Sequence, residues 1–371
     1  MPDFVERIAQ QIALNPTEIA ILRQTGVRSF EDVESLVSNF PSLQAVGVRL
    51  PFLSNAVRSS LSGHFLAAAN SLSIPHTRPT LRRGGRHPPG ARWAAGAAVP
   101  LPAPASAAAP APVATPAAID LRVAPWPVRD QGQRGTCVAF STTACAELRN
   151  FAGGPNGPPD YSEQFLYWDI KTNTGDPQPN QDGTYLQFSR DALSNDGICA
   201  ESMWPYVGTP IPGNISQGGG GNPSAATIAA AKASRITATA YQVFNTPGGG
   251  AAAVLNLLQT NRRPVAIIVP VFSDPAVPNN DNWSTASAWA YGRILNPPAT
   301  SHVSDGHSVC VVGFEPDSTE ANGGYFIFRN SWDVSWAYAA PAPGNSYSPE
   351  RGYGDISATY IEDYMWELLQ I

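Results

Sequence analysis

Prolines at positions 100, 102, 104, 110, 112 and 116 interrupt the least polar stretch of the chain, residues 94–118. Proline removes a backbone donor and clashes with the preceding helical turn, so this stretch cannot be a helix and cannot span a membrane. The surrounding segments, "HTRPTLRRGGRHPPGARW" and "VPLPAPASAAAPAPVAT", are Pro, Ala and Arg with almost no apolar periodicity. Residues 76–117 therefore read as a semi-extended linker that cannot bury enough surface to fold by itself. It divides the 371 residues into an N-terminal part, 1–75, and a body, 118–371.

Charge divides along the same boundaries. The linker carries five arginines and no acid, residues 1–75 have a net charge of -1, and the total of -6 leaves -10 for the body. A basic patch often marks a nucleic-acid partner, but these arginines lie in a structureless linker beside an acidic body, so no nucleic-acid binding is expected. "MPDFVERIAQQ" lacks a basic segment followed by an apolar run. No secretory signal is expected there, and the expected location is cytoplasmic.

Residues 1–75 read as a small helical bundle. Val5, Ile8 and Ile12 share one helical face, and Val33, Leu36, Val37 and Phe40 share another. In "NPTE" Asn15 is placed to cap, with Pro16 at the first helical position and Glu18 at the third, and Ser29 is placed to cap "FEDVESLV". Further helical turns are expected as far as Leu72.

The body is helical first and strand-rich later. "CVAFSTTACAELRNF", "YSEQFLYWDIK" and "TIAAAKASR" suit helices. "PVAIIVPVF", "HSVCVVGFEP", "GGYFIFRNSW" and "GYGDISATYI" are β-branched and aromatic, bounded by Gly, Pro or Asn. An α+β domain with a helical half and a β-rich half is the expected fold.

Cys137, Cys145, Cys199 and Cys310 form no CxxC pair and no close Cys/His cluster, so neither a zinc site nor a disulfide framework is indicated. No metal or other cofactor is expected. Cys137 stands apart because it opens a helical pattern directly after "DQGQRGT". The glycines allow a tight backbone path and Thr136 is available as a cap. At a first helical turn the unpaired N–H groups and the helix dipole favour a thiolate, the nucleophilic form. On this stretch alone an inert thiol packed under the helix is the favoured reading, since that is the commonest fate of a cysteine.

Of five histidines, His64 lies in the N-terminal part and His76 and His87 in the linker, while His302 sits in a loop-like run. His307 opens the apolar strand "HSVCVVGF", which would hold it rigidly at a cleft. Asn330 ends another buried strand, and an asparagine amide can accept an imidazole N–H and fix the ring's orientation.

"DQGQRGTCVAFS", "YSEQFLY", "DGHSVCVVGF" and "FIFRNSWDVSW…GYGDIS" occur in the order seen in papain-like cysteine peptidases, which residues 118–365 resemble. The resemblance implies Cys137 as nucleophile, His307 as general base and acid, and Asn330 as the residue orienting the imidazole. It implies Gln131 as a donor to the oxyanion and Trp332 as the indole covering the His–Asn contact. Gly183, in "QDGTYLQFSRDAL", resembles the glycine that presents backbone groups to an extended substrate, with Asp305 and Ser308 beside His307 also expected to border the substrate. The implied activity is endopeptidase hydrolysis of a protein or peptide. Two alternatives share these motifs, a transacylase or peptide ligase and a catalytically inactive binding protein.

The chain departs from the family where Arg134 replaces the first cysteine of C-G-[SA]-C-[WY], so the disulfide made there cannot form, as expected of a bacterial-type variant without a signal. The segments 210–224 and 274–305 read as insertions, the second lying just before His307 and bordering the cleft. Residues 1–117 are expected to be either a propeptide removed at the linker or a permanent module holding a partner protein.

Overall fold

The computed structural model describes residues 4–11, 14–46, 83–100, 116–278, 280–339 and 350–371. The expected helical turns up to Leu72, and the linker outside 83–100 and 116–117, lie outside the described residues, as do Ile12, His64 and His76.

Helices α1 (Phe4–Gln11), α2 (Pro16–Thr25) and α3 (Phe30–Asn39) form the N-terminal part. Both caps expected from the sequence are made: Asn15 Oδ1 accepts the Glu18 N–H at 2.9 Å, and Ser29 Oγ accepts the Asp32 N–H at 3.2 Å. Val5, Ile8, Ile21, Leu22, Val33, Leu36 and Phe40 bury a common core that also takes in Leu295 of the body. Ser42 donates twice to Asp274, the Ser287 N–H donates to Ser35 Oγ, and Arg293 pairs with Asp32 at 2.9 Å. The helical part is thus docked on the segment 274–296, which the sequence marks as an insertion.

In the helical half of the body lie α4 (Cys137–Arg149), α5 (Glu163–Asn173), α6 (Leu186–Asn195) and α7 (Ala225–Ala233). Beyond them come α8 (Gly250–Asn261), α9 (Ala286–Tyr291) and α10 (Ala358–Tyr364). The strands are β1 (Ile119–Asp120), β2 (Ala240–Val243), β3 (Val265–Ser273) and β4 (Arg293–Ile294), then β5 (His302–Pro316), β6 (Gly324–Arg329), β7 (Tyr353–Ser357) and β8 (Glu367–Gln370). They form one sheet ordered β2-β8-β3-β5-β6-β7-β4, with β1 beside β5. All pairs are antiparallel except β4 with β7. The expected α+β fold, a helical half against a β-rich half, is present.

Two assignments differ from the sequence reading. "ATYI" was expected to continue a strand, but Ser357 Oγ accepts the Tyr360 N–H at 2.9 Å and starts α10. His302, expected in a loop, begins β5, because a bulge in β3 after Val271 lets the strand pair onward to Ser273.

α4 is buried from Cys137 through Glu147, unusual for a helix and possible only because it lies between the two halves. Positions 137, 141 and 145 repeat at i+4 and share one stripe. Ser141 Oγ meets Ser308 Oγ at 2.6 Å and Cys145 Sγ lies 3.5 Å from Cys310 Sγ, so this stripe fixes α4 against β5.

Arg134 takes over the tie that a disulfide would make. Its buried guanidinium donates to Gln164 Oε1 at 2.7 Å and to the carbonyls of Val207, Ile215 and Ser216 at 2.9, 3.0 and 3.2 Å. Arg134→Met should leave the Val207 and Ile215 carbonyls without a donor and take one of two donors from Gln164 Oε1 and Ser216 O, at a cost of about 3 kcal/mol. Thermal unfolding should then fall by roughly 6–12 °C, and an unchanged melting temperature would show that this tie carries no stability.

The segment 83–100, read from composition as linker, runs as a strap on the body. The Arg92 guanidinium donates to the carbonyls of Thr246, Ile361 and Met365, and Trp93 Nε1 donates to Asp363 O at 2.7 Å. Further on, the Val99 N–H donates to Ser301 O at 2.8 Å. The segment has no core of its own, and much of its backbone is hydrogen-bonded to the surface it crosses.

Candidate active site

Cys137 is the first residue of α4 and is fully buried. Thr136 does not cap the helix as expected. Its hydroxyl instead meets the Tyr206 hydroxyl at 2.7 Å. The first N–H groups of α4 are therefore not taken by that side chain.

His307 Nε2 lies 2.8 Å from Asn330 Oδ1. The Ser331 backbone N–H, which can only donate, also reaches that atom at 2.8 Å, so it is the carbonyl end of the amide. Nε2 must then carry the proton in the neutral ring, leaving Nδ1 as a bare acceptor. Nδ1 has no hydrogen-bond partner among the described residues. Trp332 stacks on the ring at 4.4 Å between centroids and Trp283 meets its edge at 5.0 Å, excluding water from the His–Asn contact.

Gln131 is held at both ends of its amide: Oε1 accepts from Ser331 Oγ at 2.6 Å and Nε2 donates to Arg134 O at 2.8 Å. The Gln131 N–H donates to Ser331 O at 2.9 Å. These bonds lock the turn before Cys137 to the turn after Asn330. One of the two Nε2 protons is used, leaving a second donor.

The residues expected to border a substrate separate into two groups. Trp332 and Asp305 lie beside His307, with Asp305 exposed. Ser308 does not face the cleft, because successive strand side chains point to opposite faces and its hydroxyl meets Ser141 and Ile267 O inside the body. Gly183 likewise uses its groups internally, its N–H donating to Gly135 O at 3.1 Å and its carbonyl accepting from Lys171. Its left-handed φ of 83° presents the backbone of Thr184 instead.

What Thr184 meets is the strap. The Thr184 N–H donates to Gly84 O at 2.8 Å, the Arg86 N–H donates to Thr184 O at 3.0 Å, and the Gly85 N–H donates to Gly306 O at 3.1 Å. Residues 83–86, "RGGR", thus cross between the wall carrying Cys137 and the wall carrying His307. The fit is tight, since a Cβ on Gly84 would lie 2.0 Å from Gly135 O and one on Gly85 would lie 2.8 Å from Ile268 Cγ2. The sequence offered one signal, the glycine pair, which the Pro- and Arg-rich context disguised.

Burial under the strap shifts both reacting groups toward their neutral forms. Desolvation pushes the Cys137 thiol up to about 12, outweighing the backbone hydrogen bonds from Ser308, Gly84 and Gly85 to its sulfur. Desolvation also lowers His307 to about 3, with the Asn330 bond opposing it and the nearby Arg83 charge assisting. Both shifts favour thiol and neutral imidazole over thiolate and imidazolium.

No group of His, Cys, Asp and Glu among the described residues could hold a metal ion. All four cysteines are free.

Comparison with known proteins gives the same answer as the fold. Cysteine proteinase 3 of Entamoeba histolytica is 27% identical over 231 residues, 61% of this chain and 61% of that protein. A cathepsin L-like proteinase of Fasciola hepatica is 26% identical over 244 residues, 65% of this chain and 60% of its own length. The chain therefore spans about three fifths of these relatives. Xylellain, a cysteine protease from Xylella fastidiosa, shares the fold with a TM-score of 0.51 at 20% identity, covering 79% of this chain and 99% of that one. The family model for papain family cysteine proteases matches residues 115–340, and with Cys137, His307 and Asn330 all inside that span the chain belongs to the papain family of cysteine proteases.

Proposed function

We propose that this protein is a cysteine endopeptidase that cuts peptide bonds through a thioester on Cys137. The observation that carries the reading is the His307 ring, held by Asn330 through Nε2 with Nδ1 left to accept, in a cleft shared with a cysteine at a helix start. Cys137 Sγ gives its proton to Nδ1 and attacks the substrate carbonyl carbon. The oxyanion that forms is held by the Cys137 N–H and the free Gln131 Nε2 proton. His307 then protonates the departing amine, leaving a thioester that water, activated by the same nitrogen, hydrolyses. The transacylase reading differs only in the acceptor, and no feature of the site favours an amine over water.

The strap supports a second statement, that the described chain is a latent form. The Gly84–Gly85 backbone passes between Gly135, just before Cys137, and Gly306, just before His307, so it occupies the space in front of the nucleophile. Residues 83–86 therefore block the cleft. This favours an inhibitory role for the N-terminal region over a role confined to partner binding, with α1 to α3 docked beside the cleft on the insertion.

Four free thiols suit a reducing compartment such as the cytoplasm. Among the described residues no helix is long and apolar enough to cross a membrane. Two lysines beside abundant Ala, Pro and Arg suit a bacterial source.

Alkylation tests the reading. Only thiolate reacts, and Cys137 is fully buried beneath the strap, so the full chain should react with iodoacetamide at Cys137 at least about 100-fold more slowly at pH 7 than a chain whose strap has been displaced. Once the strap is displaced and water enters, the ion pair forms and the rate should become nearly level from about pH 5 to 8. Modification located at Cys137 by peptide mass should abolish hydrolysis of a quenched fluorogenic peptide in proportion. Full hydrolysis by the alkylated protein would rule out the thioester route.

A further inference from the structure

The strap leaves an imprint of what the cleft recognises. Arg83 enters a pocket at the Trp332 end: its Nη2 donates to Asp281 Oδ1 at 2.8 Å and its guanidinium carbon lies 5.6 Å from the centre of the Trp332 ring. Asp281 is fixed for this task, since its Oδ1 also accepts the N–H groups of Trp283 and Ser284 at 2.9 Å each. At the other end Arg86 donates from Nε and Nη2 to Asp182 O and brings Nη1 to 3.7 Å from the buried Asp176 carboxylate. Between the two arginines the walls leave no room for a Cβ at either glycine.

We propose that the cleft is specific for peptides in which a glycine pair lies between two basic residues. Asp281 with Trp332 forms one guanidinium subsite, and Asp182 O forms the other, with Asp176, itself paired to Lys171 at 2.7 Å, behind it. Arg-Gly-Gly-Arg reads the same in both directions, so a substrate can present this pattern even if its chain runs opposite to the strap. A planar guanidinium suits both ends, with a carboxylate plus an aromatic face at one and a two-pronged carbonyl contact at the other. The Asp281 subsite lies in the segment 274–305 that also carries Trp283, so the insertion supplies specificity as well as cover. Asn39 of α3 donates to Asp281 O at 3.3 Å, which puts the docked N-terminal helices in contact with this subsite.

The inference names the substrate of the peptidase proposed above, and its test uses binding alone, so that it stands or falls separately from the chemistry. The full chain carrying Cys137→Ala, with Gly84→Val to displace the strap, would be titrated calorimetrically with blocked Arg-Gly-Gly-Arg, Leu-Gly-Gly-Leu and Arg-Ala-Ala-Arg peptides. The first should bind at least about 30-fold more tightly than the second and about tenfold more tightly than the third, and Asp281→Asn should remove about tenfold of the arginine preference. Equal affinities for the three peptides would overturn the proposal, as would an arginine preference untouched by Asp281→Asn. If Gly84→Val fails to fold, Arg83→Glu displaces the strap by charge repulsion from Asp281 and serves for the same titrations.

Discussion

Replacing Cys137 by alanine should lower peptide hydrolysis about a million-fold, measured in a full chain whose strap has been displaced. The expectation follows from the division of labour in the site. His307 is a base only if it has a proton to take, and its Nδ1 has no other hydrogen-bond partner among the described residues. The oxyanion donors survive the substitution, so a residual rate above that in water should remain. Cys145→Ala and Cys199→Ala serve as controls, since Cys145 lies against Cys310 and Cys199 belongs to a small core with Phe165, Trp204 and Ala231. If a folded Cys145→Ala protein were as inactive as Cys137→Ala, the assignment of the nucleophile would be wrong.

Gly84→Val should raise the hydrolysis rate of the full chain by at least about 100-fold, which requires the strap to have favoured the closed state by roughly 2.7 kcal/mol. The lever is steric: a Cβ 2.0 Å from Gly135 O cannot be accommodated between two backbones, so the strap must leave the cleft. Its departure uncovers the cleft and admits water, which reverses the desolvation acting on Cys137 and His307. The gain should therefore appear chiefly in the amount of competent enzyme, with titratable active sites rising in parallel with rate. Should activity and iodoacetamide profile both match those of the parent chain, the strap does not hold the enzyme closed.

The division between what was legible and what was not follows the range of the interactions. The helix start at Cys137, the strands carrying His307 and Asn330, and the caps at Asn15 and Ser29 are set by residues within a few positions of each other. Periodicity and turn chemistry therefore exposed them, and their order along the chain carried the resemblance to the family. Arg134 was legible as a missing cysteine but not as a replacement, because its acceptors at 164, 207, 215 and 216 become neighbours only after folding.

Ser308 entered the substrate list beside His307 and Gly183 entered it by resemblance, and in the fold both turn their polar groups inward. A strand turns neighbouring side chains to opposite faces, and a left-handed glycine passes its role to the next residue, Thr184. Trp283 and Asp281 were hidden inside an insertion with no motif of its own. Most hidden was the strap. Residues 83–86 have no apolar period and no intrinsic reason to be ordered; they are held by Thr184 and Gly306 backbone groups and by acidic pockets at each end, about 100 and 200 positions away in sequence. The sequence by itself determined where the proposed site residues stand, because local conformation puts Cys137 at a helix start, His307 in a strand and Asn330 at a strand end. Only the tertiary structure decided whether that site is exposed, because the segment that closes the cleft draws its order from walls that do not exist until the chain has folded.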